Sequence, residues 1–426
     1  MTERLLQFIW QFQYFNKHQL QLNTGEYFEI VHPGLLNTNQ GPDFIAARIR
    51  IGNTLLIGPV ELHIKTSFWY KHAHQLDHNY DKVTLHVVWE DDMDNSVSNI
   101  PVFTLQDRVS KLLLQQYQHW MDGRLFIPCE QQVTLAGDIT WLAWKERLLV
   151  ERLQRKSAVV FECLQQNNQH WEETFWWLLA RNFGIRVNAD AFEAVARSIS
   201  LNILAKHKNQ LLHLEALLMG QAGLLNKDFE DEYARRLLKE YKFQQSKYNF
   251  QQVAKPAFFL RMRPAAFPTI RLAQLAMLIH RSNHLFSKIK ELLCVKDVKA
   301  LLDVTAGSYW DQHYSFDKES AARPKRLGES MINNIIINTI VPVLFAYGYQ
   351  RQEQVYKDRA LQWLSEVASE KNTVTGGFTA RGITNKNAFD SQALIELKTM
   401  YCDHKRCLDC AIGNSLLKQN LKNVQI

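Results

Sequence analysis

The apolar residues of this chain keep no single period for the first hundred or so positions, then hold one period almost to the end. "TERLLQFIWQFQYF" puts Leu5, Phe8, Ile9, Phe12 and Phe15 on one side of a helix. "EYFEIVH", "DFIAARIRI", "LLIGPVELHI", "VTLHVVWE" and "IPVFTLQ" read as strands, with a tight "GNT" joining the second and third. The polar stretch "FWYKHAHQLDHNYDK" has room for a helix between the third and fourth. The order is therefore helix, strand, strand, strand, helix, strand. From Ile139 onward amphipathic segments follow one another, among them "WLAWKERLLVERLQRKSAVVFECLQQ", "WEETFWWLLARNF", "DAFEAVARSI", "LLHLEALLMGQAGLL", "IRLAQLAMLIHRS" and "DRALQWLSEVAS". "MINNIIINTIVPVLFAYG" reads as a buried helix broken at Pro342. No regular repeat of roughly 20–50 residues is present, which argues against a solenoid. Gly, Pro and polar residues gather at 122–138. The pattern predicts an α+β chain, with an α/β domain at 1–125 and a larger all-α domain at 139–426 that ends in a Cys-rich segment at 402–410.

A chain of 426 residues exceeds what one hydrophobic core usually supports, which agrees with two domains. No run reaches the roughly 18 apolar residues of a membrane span. The start lacks a basic region followed by an apolar stretch and a small-residue cleavage site. The expectation is a cytoplasmic protein with no membrane partner. Six cysteines are too few and too uneven for a disulfide scaffold. Charge is divided unequally. Residues 1–130 hold ten Lys or Arg against fourteen Asp or Glu, and the remainder holds 40 against 29. An acidic part joined to a basic one suits a metal-using phosphodiesterase with a phosphate-holding domain, and also suits ordinary variation between domains.

The strand "LLIGPVELHIK" poses the sharpest chemical question. Glu61, His63 and Lys65 fall at i, i+2 and i+4 and so share one face. Charged groups beside "LLIGPV" are costly to bury unless they bind something. Asp43 opens the preceding strand, and a hairpin would set it beside Glu61, where both carboxylates can reach one divalent ion. Mg²⁺ keeps several waters on such a site, leaving room for a phosphate oxygen and an attacking water. "GPDF" followed by "VELHIK", within that order of elements over roughly residues 3 to 106, resembles the PD-(D/E)XK phosphodiesterase superfamily. The resemblance implies a restriction-endonuclease-like αβββαβ core, with Asp43 and Glu61 as ligands of Mg²⁺ or Mn²⁺. The lysine position of that family falls on His63. Lys65, roughly 7 Å along the same face, can replace it, or the imidazole can act as base or ligand.

Three more groups carry chemistry. His72, His74 and His78 in "HAHQLDHNYD" can form a second metal site or a proton carrier, with zinc as the alternative metal; His86 reads as a core histidine. "YCDHKRCLDC" offers Cys402, Cys407 and Cys410, with His404 or a distant cysteine such as Cys129 as fourth ligand, for zinc or an iron–sulfur cluster. "KPAFFLRMRPAAFPTIR" interleaves Arg261, Arg263 and Arg271 with aromatics, a pattern that suits phosphate and stacked bases. With Phe258, Phe259 and Phe267 it also suits a packed loop.

Across its length the chain resembles an uncharacterised bacterial family, domain of unknown function family 2851. The residues that carry this are "NQGPDF", "GPVELHIKTSFWY", "LHVVWEDD", "HLEALLMGQAGLL", "RPAAFPTIRLAQLA" and "CLDCAIGN". That family implies no activity. The expectation drawn from the residues is a Mg²⁺-dependent phosphodiesterase acting on nucleic acid, DNA first. The rivals are a non-catalytic nucleic-acid-binding or assembly protein on a degenerate nuclease core, and a metal-dependent hydrolase of small phosphate esters.

Overall fold

The computed structural model describes residues 1–93, 100–251, 253, 255–260, 262–282 and 284–422, with the side chains of 420–422 left out. By contacts the chain divides into two units. The first is Met1–Trp144 with Ala380–Ile383 and Glu396–Ile426, and the second is Lys145–Thr379 with Thr384–Ile395. The change in composition at 125–139 therefore precedes the change in contacts, which falls inside a long helix. The expected assignment of the cysteine segment to the second domain is also corrected, because residues 396–426 cluster with the first unit.

The first unit opens with helix α1 (Glu3–Gln11), capped by Thr2, whose hydroxyl accepts the Leu5 N–H at 3.2 Å. Strands β1 (Phe28–His32), β2 (Leu35–Leu36), β3 (Phe44–Ile51), β4 (Thr54–Lys65), β5 (Leu85–Glu90) and β6 (Val102–Thr104) form one mixed sheet. Their order is β1-β3-β4-β5-β6, with β2 paired to β3. β3 runs antiparallel to β4, and β4, β5 and β6 are parallel. The five expected strands are all present. The expected helix between β4 and β5 shrinks to a four-residue helix, α2 (Phe68–Lys71), and two 3₁₀ turns at His74–Leu76 and His78–Tyr80. β4 is central, so Val60, Glu61, Leu62 and His63 are buried on both faces. α3 (Lys111–Asp122) packs on the C-terminal helix Ala411–Lys422.

One irregularity sets the site. Phe44 pairs with Val60 but Ala47 pairs with Gly58, so Ile45 and Ala46 together face Pro59. The bulge holds Ala46 at φ +55° and places Pro59 where its missing N–H costs no ladder bond. Gly58 is required beside it, since a Cβ there would stand 2.3 Å from Thr84 Cγ2.

The second unit is helical, as the long run of 3.6-period segments demands, apart from a two-stranded hairpin at His313–Ser315 and Lys318–Glu319. The expectation of an all-α domain is corrected by that hairpin. Pro342 does not break its helix. Helical backbone runs from Glu329 to Arg351 and takes a π turn at Ile336–Ile340, just before the proline that removes an i→i−4 bond. This helix is apolar and long enough to cross a membrane, but 78% of its apolar window is buried inside the unit.

Candidate metal centre

Asp43 and Glu61 clasp each other through the backbone. The Asp43 N–H donates to Glu61 Oε2 at 3.0 Å, and the Leu62 N–H donates to Asp43 Oδ2 at 3.1 Å. Gln7 Nε2 on α1 donates to Asp43 Oδ1 at 2.7 Å. Among the described residues, neither carboxylate has a Lys or Arg ion-pair partner. Burial therefore pushes both carboxyls above the usual carboxylate range, and the Asp43 charge raises Glu61 further.

The free side of Glu61 faces imidazoles. Glu61 Oε1 lies 3.5 Å from His63 Nε2 and 3.5 Å from His74 Nε2. His72 Nδ1 lies 3.1 Å from His63 Nε2. One nitrogen from each of His63, His72 and His74 falls within 4.8 Å of the others. Two of these histidines follow α2, and Ala73 between them has φ +57°, a left-handed turn that brings both rings to the same point. His74 Nε2 is buried and makes no hydrogen bond. A buried ring nitrogen of that kind is costly unless a ligand meets it.

The rings are held from behind. His63 Nδ1 lies 2.9 Å from His86 Nε2, the histidine directly across from Glu61 on β5. With the proton on His63 Nδ1, the Nε2 lone pair points at the cluster, the arrangement by which an outer residue orients a metal ligand. Tyr80 stacks on His74 at 3.8 Å, and Trp69 stands edge-on to His74 at 5.4 Å. Burial and the charges of Glu61 and Asp43 push the Tyr80 phenol up to about 12. Burial, with its imidazole neighbours, lowers His63 to about 2 and His86 to about 4, and also lowers His74. These rings stay neutral at pH 7, so the approach of His63 to Glu61 is no ion pair. Neutral imidazole is the form that binds a metal. Three imidazoles with one carboxylate suit Zn²⁺ or Mn²⁺ better than Mg²⁺, which prefers oxygen throughout. His72 is exposed, so the cluster opens to solvent on its side.

The other expected residues lie apart from this group. Lys65 Nζ is 3.5 Å from Glu90 Oε1, and its side chain is 40% exposed. His78, 98% exposed, turns to Asp81 Oδ2 at 3.0 Å. His404 is exposed. Arg261 lies outside the described residues. Arg263 is exposed, and Arg271 is half-buried in the second unit. There the Nη1 of Arg271 donates to Gln274 Oε1 at 3.0 Å while its Nε makes no hydrogen bond. Arg271, Arg323, Lys325 and Arg326 line a cavity of about 460 Å³. In the loop before it Phe259 stands edge-on to Phe267 at 5.3 Å and the Phe258 backbone is bonded to Asn188, but the Phe258 side chain is exposed and is no part of a core. The roles of Gln7, Trp69 and Tyr80 were not foreseen.

A family model described as "Protein of unknown function (DUF2851)" matches residues 3–373. The chain belongs to this family. Neither the curated proteins nor the solved structures compared with it include a match. The matched span contains every member of the Glu61 and histidine cluster.

Proposed function

We propose that this DUF2851 member is a metal-dependent phosphodiesterase acting on nucleic acid, with its divalent ion held by Glu61, His63, His72 and His74. The observation that carries this reading is the buried, unbonded His74 Nε2 converging with two other imidazoles on Glu61 Oε1. The ion would polarise a phosphoryl oxygen and lower the pKa of a bound water, and the solvent side at His72 gives both of them access. Asp43, whose backbone N–H bonds Glu61 and whose carboxyl lies above the usual range, would exchange a proton with that water. A core of the PD-(D/E)XK kind belongs to this reading through Asp43 beside β3 and Glu61 on β4, although the helix that such a core has after β4 is only four residues long here. The His63 substitution moves its metal preference from Mg²⁺ toward Mn²⁺ or Zn²⁺. The excess of basic residues after position 130 and the Arg271 cavity support a polyanionic substrate.

The test is cleavage of plasmid and single-stranded DNA by metal-stripped protein supplied with Mn²⁺, Zn²⁺ or Mg²⁺, beside Glu61→Gln and His74→Ala. Cleavage that needs metal and is lost in both variants is the expected result. Turnover of small phosphodiesters alone would move the substrate class. Salt-sensitive binding that no metal converts to cleavage would favour the non-catalytic reading.

A further inference from the structure

A second cluster of metal-type side chains lies in the first unit, separate in composition from the histidines. Its members come from distant parts of the chain. Cys129 sits in the turn after α3, where the Gln132 N–H donates to its carbonyl at 3.0 Å. Cys402 ends the π turn Leu397–Cys402, Cys407 opens a 3₁₀ turn, and Cys410 immediately precedes the C-terminal helix. All four are free thiols. The chain on both sides of Cys129 packs against the C-terminal segment: Lys398 Nζ stands over the Phe126 ring at 5.0 Å, and Gln419 Nε2 donates to the Leu135 carbonyl at 3.1 Å. Within that contact Cys129 feels the charge of Cys410 and Cys407, and Cys402 that of Cys410, Cys129 and Cys407. Cys129, Cys407 and Cys410 are each less than a tenth exposed.

The surroundings of Cys410 suit a thiolate. Cys410 immediately precedes the 12-residue C-terminal helix, whose first-turn N–H groups at Ile412 and Gly413 favour the charged form of its sulfur. Gly413 is needed for this seat, because a Cβ there would stand 2.4 Å from the Cys407 carbonyl oxygen. Burial pushes Cys407 up to about 12 and Cys410 up to about 11. A metal reverses that preference by binding the deprotonated sulfur.

We infer that Cys129, Cys402, Cys407 and Cys410 form a four-thiolate metal centre that ties residues 396–422 to the segment after α3. The exposed His404 is left out of the ligand set. Spacing favours an iron–sulfur cluster over a lone zinc ion. Among the described residues, the donor trio that closes to within 4.8 Å is the histidine one. Four Zn–S bonds of about 2.3 Å would instead draw the sulfurs to about 3.8 Å from one another.

The experiment is metal and acid-labile sulfide analysis of the full chain purified without oxygen, beside Cys129→Ser, His404→Ala and Cys294→Ser. Expected are about four iron and four sulfide per chain with visible charge-transfer absorbance. Both should be lost in Cys129→Ser and kept in the other two variants. One zinc per chain lost only in Cys129→Ser would keep the thiolate site and overturn the cluster. Metal absent from the wild-type chain, or retained in Cys129→Ser and lost in His404→Ala, would overturn the four-cysteine centre. Because the readout is composition of the wild-type protein, a variant that misfolds does not decide the matter. DNA cleavage does not enter it, so the histidine centre stands or fails separately.

Discussion

At the scale of single residues, Glu61 carries the strongest expectation. Its carboxyl is held above the usual range, so the folded apo state binds a proton that the unfolded chain has already released near neutral pH. A raised acid contributes stability that is present at low pH and lost as pH rises toward its folded value. His63, His74 and His86 act with the opposite sign, but below histidine's ordinary value of about 6.5. Above that pH Glu61 acts with the same sign as Glu215, whose carboxyl burial pushes up to about 7. Metal-stripped protein should therefore melt at lower temperature as pH rises through 7, and Glu61→Gln should reduce that fall; a flat wild-type profile would contradict it. His86→Phe should weaken metal affinity by about 10- to 100-fold without removing a ligand, because His63 loses its orienting partner. Unchanged affinity by calorimetry would assign His86 to packing only. The carboxylates and the histidines were legible in the sequence as residue types. Their grouping was not, because it depends on a left-handed Ala73 and on the pairing of Glu61 with His86, neither of which leaves a periodic signal.

At the scale of elements, the bulge and the short α2 decide what the strands alone leave open. Strand alternation identified β1, β3, β4, β5 and β6, since each carries enough Val, Ile or Leu to mark a buried pleat. It missed the bulge at Ile45 and Ala46, and it favoured a helix where 3₁₀ turns stand, because polarity says little about how a loop turns. Gly58→Ala should destabilise the first unit by about 1–3 kcal/mol through the clash with Thr84 Cγ2. Adding Thr84→Ser, which deletes that methyl, should recover part of the loss in urea unfolding. A neutral Gly58→Ala would mean that β4 and the Thr84 segment separate freely. Ala73→Gly should stabilise the metal-free fold by about 1 kcal/mol, since glycine relieves the left-handed strain. Destabilisation would show that the Ala73 methyl packs usefully.

At the scale of the whole molecule, the first unit is assembled from three separate stretches of chain. Arg381 pairs with Glu130 at 2.6 Å, Arg4 with Asp409 at 2.5 Å, and the Tyr14 hydroxyl donates to Asn414 Oδ1 at 2.8 Å. These are local ties across long loops, and sequence patterns do not report contacts of that separation. Composition therefore marked a boundary near 125–139 but left the return of residues 396–426 unseen. The basic balance beyond residue 130 leads to an expectation at this scale too. DNA binding measured by anisotropy should weaken steeply between 50 and 200 mM salt, by on the order of 10³-fold for six or so phosphate contacts. Salt-independent binding would remove the nucleic acid from the account.

The most direct test of the central claim is a Mn²⁺ titration of metal-stripped protein, because thiolates discriminate against this harder ion and leave the histidine centre visible alone. One site per chain is expected, binding with release of protons, abolished in Glu61→Gln and His74→Ala and unchanged in Cys129→Ser. No saturable site, or one that survives both ligand variants, would contradict a metal centre on Glu61, His63, His72 and His74.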